Sequence, residues 1–208
     1  MAKRRYIIGI DEVGRGPLAG PVMVCAALFP SDFPFRLHAK KLGVPLRDSK
    51  KLTERARELW DASFRTDMRV AFALASSSSK LIDKTHIGIA TLMAVDKALL
   101  KLARRYGHKI TNAKVFLDGG LYVSPRIIQK LHINTHPRTI IKGDEKIPAI
   151  RAASIIAKVA RDRLMVNMAN QYSGYGFAKH KGYGTKAHIR AIKKRGISAI
   201  HRRSFLKI

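Results

Sequence analysis

Short apolar runs alternate with longer segments of helical spacing along this chain, and that alternation restricts the fold it can adopt. The short runs predict strands at 6–10, 22–29, 69–75, 114–118 and 139–142. Helical spacing predicts helices at 54–65, 89–106, a short stretch from 124, 148–172 and 185–195. A loop is predicted before the first helix because this part of the chain contains Pro30, Pro34 and Pro45. The order of elements predicts an α/β protein, with a five-stranded sheet flanked by helices and a helical C-terminal portion.

The charge balance indicates a polyanionic partner. The chain has 41 Lys and Arg against 14 Asp and Glu, a formal net charge of +27. Self-repulsion at this level destabilises a compact protein, and nucleic acid is the partner whose phosphates would neutralise it. No Asp or Glu follows Asp162. We predict one catalytic domain over residues 1–208, in which residues from about 173 to 208 form a basic substrate-binding portion. Charge that serves only solubility is the alternative.

The scarce acidic residues gather where predicted strands end. Asp11 and Glu12 follow the first strand, Asp118 closes the fourth, and Asp144 follows the fifth. Ligands of open α/β sheets bind beyond strand ends, so we expect these four carboxylates to meet at one edge of the sheet. Oxygen ligands favour Mg²⁺ or Mn²⁺, and two such ions together catalyse phosphodiester hydrolysis. The alternative is that these acids are ordinary turn formers.

Several motifs of the chain resemble those of ribonuclease HII, the type 2 ribonuclease H family, in its bacterial form. The motifs occur in the order of the family and are 9–21, 48–52, 118–119, 142–144, 152–163 and 180–183. The resemblance implies a ribonuclease H-like fold with a mixed five-stranded sheet. It implies an endonuclease that cleaves the RNA strand of RNA–DNA hybrids. It also implies incision 5′ of single ribonucleotides embedded in duplex DNA, which leaves 3′-hydroxyl and 5′-phosphate ends. Its catalytic, metal-binding residues would be Asp11, Glu12, Asp118 and Asp144.

The resemblance also assigns candidates for reading the substrate. Glycines allow the backbone to approach a sugar closely, so Gly14, Arg15 and Gly16 are candidates for sensing the ribose 2′-hydroxyl and an adjacent phosphate. In the family this motif acts with a tyrosine that corresponds to Tyr183. The candidates for phosphate contacts are Lys50, Lys142 and Lys181. The alternatives are a simple tight turn for the glycines, packing for the tyrosine, and solvated surface positions for the lysines.

Other polar residues have simpler interpretations. Asp162 lies within a predicted helix and is expected to pair with Lys158, Arg161 or Arg163 rather than bind metal. Ser49 is interpreted as a loop hydrogen-bonding residue. No zinc site is expected from the spacing of His180, His188 and His201.

Cysteine content and hydropathy indicate the compartment. The one cysteine, Cys25, lies in an apolar run and is expected to be buried, which is consistent with a reducing cytosol. No segment approaches the ~20 apolar residues of a membrane span. We predict a cytoplasmic, monomeric protein that binds no membrane. The rival hypotheses are a non-catalytic basic nucleic-acid-binding protein and another nuclease of the ribonuclease H fold, such as a resolvase.

Overall fold

The computed structural model describes residues 5–206, so the ends of the predicted domain, 1–4 and 207–208, lie outside the described residues. The strands are β1 (Tyr6–Val13), β2 (Val22–Pro30), β3 (Ala71–Ser77), β4 (Lys114–Asp118) and β5 (Arg138–Ile140). They form one sheet of order β3-β2-β1-β4-β5. The pairs β1–β2 and β2–β3 are antiparallel, whereas β1–β4 and β4–β5 are parallel. The predicted mixed five-stranded sheet is confirmed.

Eight α-helices surround this sheet within the described residues. They are α1 (Phe35–Leu42), α2 (Glu54–Thr66), α3 (Ser79–Ile110), α4 (Pro125–Lys130), α5 (Gly143–Lys146), α6 (Pro148–Gln171), α7 (Phe177–His180) and α8 (Lys186–Arg195). No helix in residues 5–206 is long and apolar enough to cross a membrane.

The alternation of side chains along the strands produces two cores, one on each face of the sheet. Ile8 and Ile10 of β1 pack on one face with the apolar side of α3. Cys25 and Phe29 of β2 pack on the other face with α2 and α6, and Cys25 is fully buried as predicted. Ile7, Gly9 and Asp11 are alternate residues of β1, so they lie on the same face of the sheet. The first acidic residue is therefore on the face that α6 covers.

Close contact between β1 and α6 depends on Gly9. A Cβ atom at Gly9 would lie 2.1 Å from the carbonyl carbon of Ala149, which is backbone and cannot rotate away. Because only glycine permits this approach, α6 lies directly against the strand that carries Asp11 and Glu12.

Two strand boundaries near the acidic residues differ from the predictions. β1 continues to Val13, so Asp11 and Glu12 lie inside the strand and not after it. The reason is that β2 pairs with β1 as far as Val13, whereas β4 pairs with it only as far as Ile10. β5 ends at Ile140, before the predicted 142, because Lys142 adopts a left-handed backbone with φ of 53°.

Asp144 consequently does not follow a strand directly. It lies in the short helix α5, so the prediction of four acids at strand ends is wrong for this residue.

Other differences arise from local turns and caps. β3 begins at 71 and not 69, because the amide of Val70 closes a turn on the carbonyl of Asp67. α3 begins at Ser79 and not near 89, and Ser78 caps it by accepting a hydrogen bond from the amide of Leu81. His86, with φ of 65°, interrupts this helix, which explains why a continuous helical pattern begins only after it.

The predicted loop between Pro30 and Pro45 contains α1. Pro34 occupies the N-cap of this helix and Gly43, with φ of 64°, ends it, so the prolines lie outside the helical residues. The helix packs Phe35 and Leu42 against the core on the α6 side. A helix of eight residues between prolines is too short for its periodicity to be distinguished from a loop.

Candidate active site

Three carboxylates meet where β1 and β4 stop pairing. Ile10 and Leu117 are the last partners of this parallel pair, and Asp11 and Asp118 are the next residue of each strand. Oxygen atoms of Asp11, Glu12 and Asp118, one from each residue, lie within 4.8 Å of one another. Asp11 is buried and the other two are half-buried, so the cluster lies at the bottom of a surface groove.

Asp144 lies beside this cluster but outside the group of three. The amide of Gly143 donates to Oδ1 of Asp118 at 2.7 Å, and the amide of Asp144 donates to the same oxygen at 3.4 Å. The start of α5 is therefore fixed to Asp118. On the other side of α5, the guanidinium of Arg151 donates to the carbonyls of Asp144, Glu145 and Leu46.

The acids of the cluster oppose one another's ionisation. Burial raises the pKa of Asp11 well above its usual range, and the charges of Glu12 and Asp118 raise it further. Burial also raises the pKa of Glu12, an effect that Arg15 opposes from 3.6 Å. The pKa of Asp144 is raised by burial and by the charge of Asp118. A bound cation would remove this repulsion.

The donor atoms of the cluster fit a hard divalent cation. All are carboxylate oxygens, the ligand type that Mg²⁺ and Mn²⁺ prefer. Oε2 of Glu12 is buried and has no hydrogen-bond partner among the described residues. An unpartnered buried carboxylate oxygen is costly, and coordination of a cation would satisfy it.

The cluster shares its groove with most of the predicted substrate-reading residues. The groove has a volume of about 560 Å³. The predicted residues that line it are Asp11, Glu12, Gly14, Arg15, Gly16, Lys50, Asp118, Asp144 and Tyr183. Lys142 and Lys181 are not among the lining residues. Lys142 is exposed at the N-cap of α5, and the amino group of Lys181 donates to the carbonyl of Ala178.

The Gly14–Gly16 loop combines a tightly packed glycine with an open one. Gly14 has φ of 89°, and a Cβ atom there would lie 2.2 Å from Nε of Arg161. No atom within 4 Å would meet a Cβ at Gly16, which faces open space. Arg15 between them is exposed. The first glycine is therefore required by packing, and the second leaves room for a ligand beside the backbone.

Tyr183 is supported by three packed histidines. Its side chain is 42% exposed and reaches the groove, while its carbonyl accepts a hydrogen bond from Nδ1 of His188. Nε2 of His188 lies 3.1 Å from Nε2 of His201, and the ring of His180 stacks on His188 at 4.3 Å. Because these ring nitrogens are occupied by hydrogen bonds, the histidines serve to hold the Tyr183 loop. Their wide spacing in the sequence did not indicate that they meet.

Comparison with known proteins identifies the family. A profile described as ribonuclease HII matches residues 8–208. The chain belongs to the ribonuclease HII family. The ribonuclease HII of Treponema denticola is 41% identical over 201 residues, which cover 96% of this chain and 97% of that protein. The ribonuclease HII of Caldicellulosiruptor bescii is 42% identical over 204 residues, which cover 98% and 87% of the two chains.

Solved structures agree with this result. The crystal structure of the ribonuclease H2 from Pyrococcus horikoshii aligns with a TM-score of 0.62 at 26% identity, covering 96% of this chain and 93% of the other. The predicted ribonuclease H-like α/β fold is confirmed. As a member of the ribonuclease HII family, the chain is a metal-dependent endonuclease of the ribonuclease H class. The hypothesis of a non-catalytic binding protein is therefore not supported.

Sequence reasoning missed one hydroxyl in this ribonuclease HII site. The hydroxyl of Ser154 on α6 lowers the pKa of Asp11, and it lies 2.9 Å from the hydroxyl of Ser49. Ser49 therefore makes the hydrogen bond predicted for it, with a partner 105 residues away. Ser154 lies in the apolar part of the motif 152–163, where no role is assigned to it from the sequence.

Asp162 forms a structural ion pair. Its Oδ1 accepts a hydrogen bond from Lys158 at 2.8 Å, one helical turn earlier on α6, as predicted. Lys158 also lines the groove, so this pair holds a positive charge near the carboxylate cluster.

Proposed function

We propose that the protein hydrolyses the RNA strand of RNA–DNA hybrids and incises duplex DNA on the 5′ side of single embedded ribonucleotides. The products would carry 3′-hydroxyl and 5′-phosphate ends. One observation carries the proposal: the carboxylate cluster, the Gly14–Gly16 loop and Tyr183 line a single groove. A phosphodiester beside the acids would then have its ribose within reach of the loop.

The proposed cofactor is a pair of Mg²⁺ or Mn²⁺ ions. Asp11, Glu12 and Asp118 would hold them, with Asp144 as the fourth acidic residue. Two such ions, when bound, supply an activated water and stabilise the leaving oxygen of a phosphodiester. The buried position of Asp11 excludes water from one side of the cluster and strengthens its electrostatic interactions.

The chain's own residues would orient the substrate. The exposed guanidinium of Arg15 would hold a phosphate, and the backbone at Gly14 and Gly16 would hydrogen-bond a 2′-hydroxyl. The ring of Tyr183 would stack on the sugar of the neighbouring nucleotide and select it by shape. The candidates for phosphate contacts are still Lys50, Lys142 and Lys181. Of these, Lys50 lines the groove, which supports its role.

Substitution of Asp11 tests this function. We expect Asp11→Asn to reduce incision of a duplex containing one ribonucleotide to background, because the central buried carboxylate is lost. Affinity for the duplex should persist, since basic residues provide most of it. Glu58→Gln, an exposed acid of α2, is the matched control and should cut normally.

An all-DNA duplex of the same sequence completes the experiment. Incision of that duplex would indicate a different nuclease activity, such as that of a resolvase. A normal rate of incision by Asp11→Asn would contradict the proposed role of the cluster.

We also propose that residues 1–208 form one domain. The C-terminal portion is bonded to the β1–β2 connection by a β-bridge between Ala19 and His201, which supports this organisation. The monomeric state and the cytoplasmic location stay predictions from the sequence, and sedimentation of the purified protein would test the first.

A further inference from the structure

Two fully buried arginines lie beneath the Gly14–Gly16 loop. Arg161 of α6 and Arg202 near the C-terminus have no exposed surface. Within residues 5–206 neither forms an ion pair with a carboxylate, although burial of an unpaired charge is expensive. Burial lowers the pKa of both groups, that of Arg202 to about 10. Such arginines require other hydrogen-bond partners, and backbone carbonyls provide them.

Arg202 bonds three carbonyls of one short segment. Its Nη2 donates to the carbonyl of Gly14 at 2.5 Å and its Nη1 to that of Arg15 at 2.6 Å. Nε and Nη2 both donate to the carbonyl of Gly20, at 3.0 and 2.8 Å. A guanidinium is rigid and planar, so these bonds fix the relative positions of both ends of the β1–β2 connection.

The backbone around Arg202 reinforces these contacts. The amide of Arg202 donates to the carbonyl of Leu18 at 2.8 Å, and the amide of Gly20 donates to the carbonyl of Ile200 at 2.9 Å. Arg161 adds bonds to the carbonyls of Ala19 and Pro21 and reaches Lys181 in the Tyr183 loop. The C-terminal segment is thus bonded to the β1–β2 connection along its length.

These bonds have a direct consequence for the face of the loop that meets a ligand. A peptide unit is planar, so a fixed carbonyl at Gly14 also fixes the amide of Arg15. In the same way, the bond to the carbonyl of Arg15 fixes the amide of Gly16. Arg202 therefore determines the direction of two backbone donors without approaching the substrate itself.

We infer that Arg202 is a positioning residue that orients the Gly14–Gly16 loop and thereby sets the preference for a ribonucleotide over a deoxyribonucleotide. This inference rests on the proposed function of the loop. It extends that function to a residue 188 positions away from Gly14 in the sequence.

The variant Arg202→Lys tests this role. Lysine retains the charge but lacks the planar fork, so it cannot hold three carbonyls at fixed spacing. The measurements are KM for incision of a duplex with one ribonucleotide and the inhibition constant of the matching all-DNA duplex in the same assay. Neither constant depends on the fraction of active enzyme, so partial unfolding alone does not change their ratio.

We expect the ratio of the inhibition constant to KM to fall at least fivefold in Arg202→Lys, through a rise in KM. The inhibition constant should stay close to that of the unmodified protein, because phosphate contacts determine it. Arg65→Lys is the control: Arg65 pairs with Asp61 on α2, outside the groove, and its replacement should leave the ratio unchanged. A folded Arg202→Lys protein with an unchanged ratio would overturn the inference.

A second variant covers the case in which Arg202→Lys does not fold. Asp83 of α3 accepts hydrogen bonds from the amides of Arg203 and Ser204 and so anchors the chain just after Arg202. Asp83→Ala should lower the same ratio at least twofold, and an unchanged ratio there would also refute the inference. If the unmodified protein does not incise the ribonucleotide duplex, the proposed function itself fails, which is a different result.

Discussion

At the scale of single residues, the buried acids of the site repel one another, and a bound cation would relieve that repulsion. Burial raises the pKa of Asp11, the charges of Glu12 and Asp118 raise it further, and the hydroxyl of Ser154 opposes these effects. Ser154 is bonded in turn to Ser49, from the motif that precedes α2. Hydroxyls that orient a metal-binding carboxylate influence metal affinity without binding the metal.

Removal of the Ser154 hydroxyl should therefore weaken the affinity of the site for its metal ions. We expect Ser154→Ala to raise the Mg²⁺ concentration for half-maximal incision by about tenfold, since loss of an outer-shell partner has effects of this size. A Mg²⁺ titration of incision measures the change. Ser76→Ala, at an exposed position of β3, is the control. An identical Mg²⁺ midpoint in Ser154→Ala would show that the hydroxyl does not orient Asp11.

At the scale of elements, the contact of α6 with β1 determines where the acids lie. Asp11 belongs to β1 and its partner Ser154 to α6, so the distance between these two elements sets their geometry. Gly9 makes that distance short, because its missing side chain leaves room for the backbone at Ala149 and Ile150.

Gly9→Ala should separate these elements and destabilise the protein. The added Cβ would lie 2.1 Å from backbone, and we expect a loss of about 3 kcal/mol in the free energy of unfolding, the upper end for overpacking. Denaturant unfolding measures it. Gly107→Ala in α3, where a Cβ would meet no atom within 4 Å, should be neutral or stabilising by up to about 1 kcal/mol. Equal effects of the two substitutions would contradict this account of the β1–α6 contact.

At the scale of the whole molecule, the net charge of +27 should dominate binding to any duplex. Phosphate neutralisation releases counterions, so affinity falls steeply with salt. We expect affinity for an all-DNA duplex to fall by about 10³-fold between 50 and 200 mM monovalent salt, as for about six phosphate contacts. Fluorescence anisotropy measures this, with thermal unfolding followed in parallel to show that the protein stays folded. A tenfold decrease or less would favour the alternative that the charge serves solubility.

Across the whole fold, the elements that were predicted from the sequence are those with a strong local pattern. The five strands and the long helix α6 have strong apolar patterns, and they were found with errors of a few residues at their ends. α1 was missed because eight residues between prolines carry too little periodicity. The early part of α3 was missed because His86 interrupts it.

The elements of the sheet, the excess of basic charge and the family follow from local pattern, composition and motifs, which are all properties of the amino-acid sequence. It also indicated the four acids and the Gly14–Gly16 loop. The folded structure was needed to show that three of the acids form a tight group while Asp144 reaches the groove from α5. It alone revealed Ser154 and Arg202, since each acts on residues more than a hundred positions away. Such contacts are made by chain segments that meet only after folding, so the local pattern around each residue does not indicate its partner.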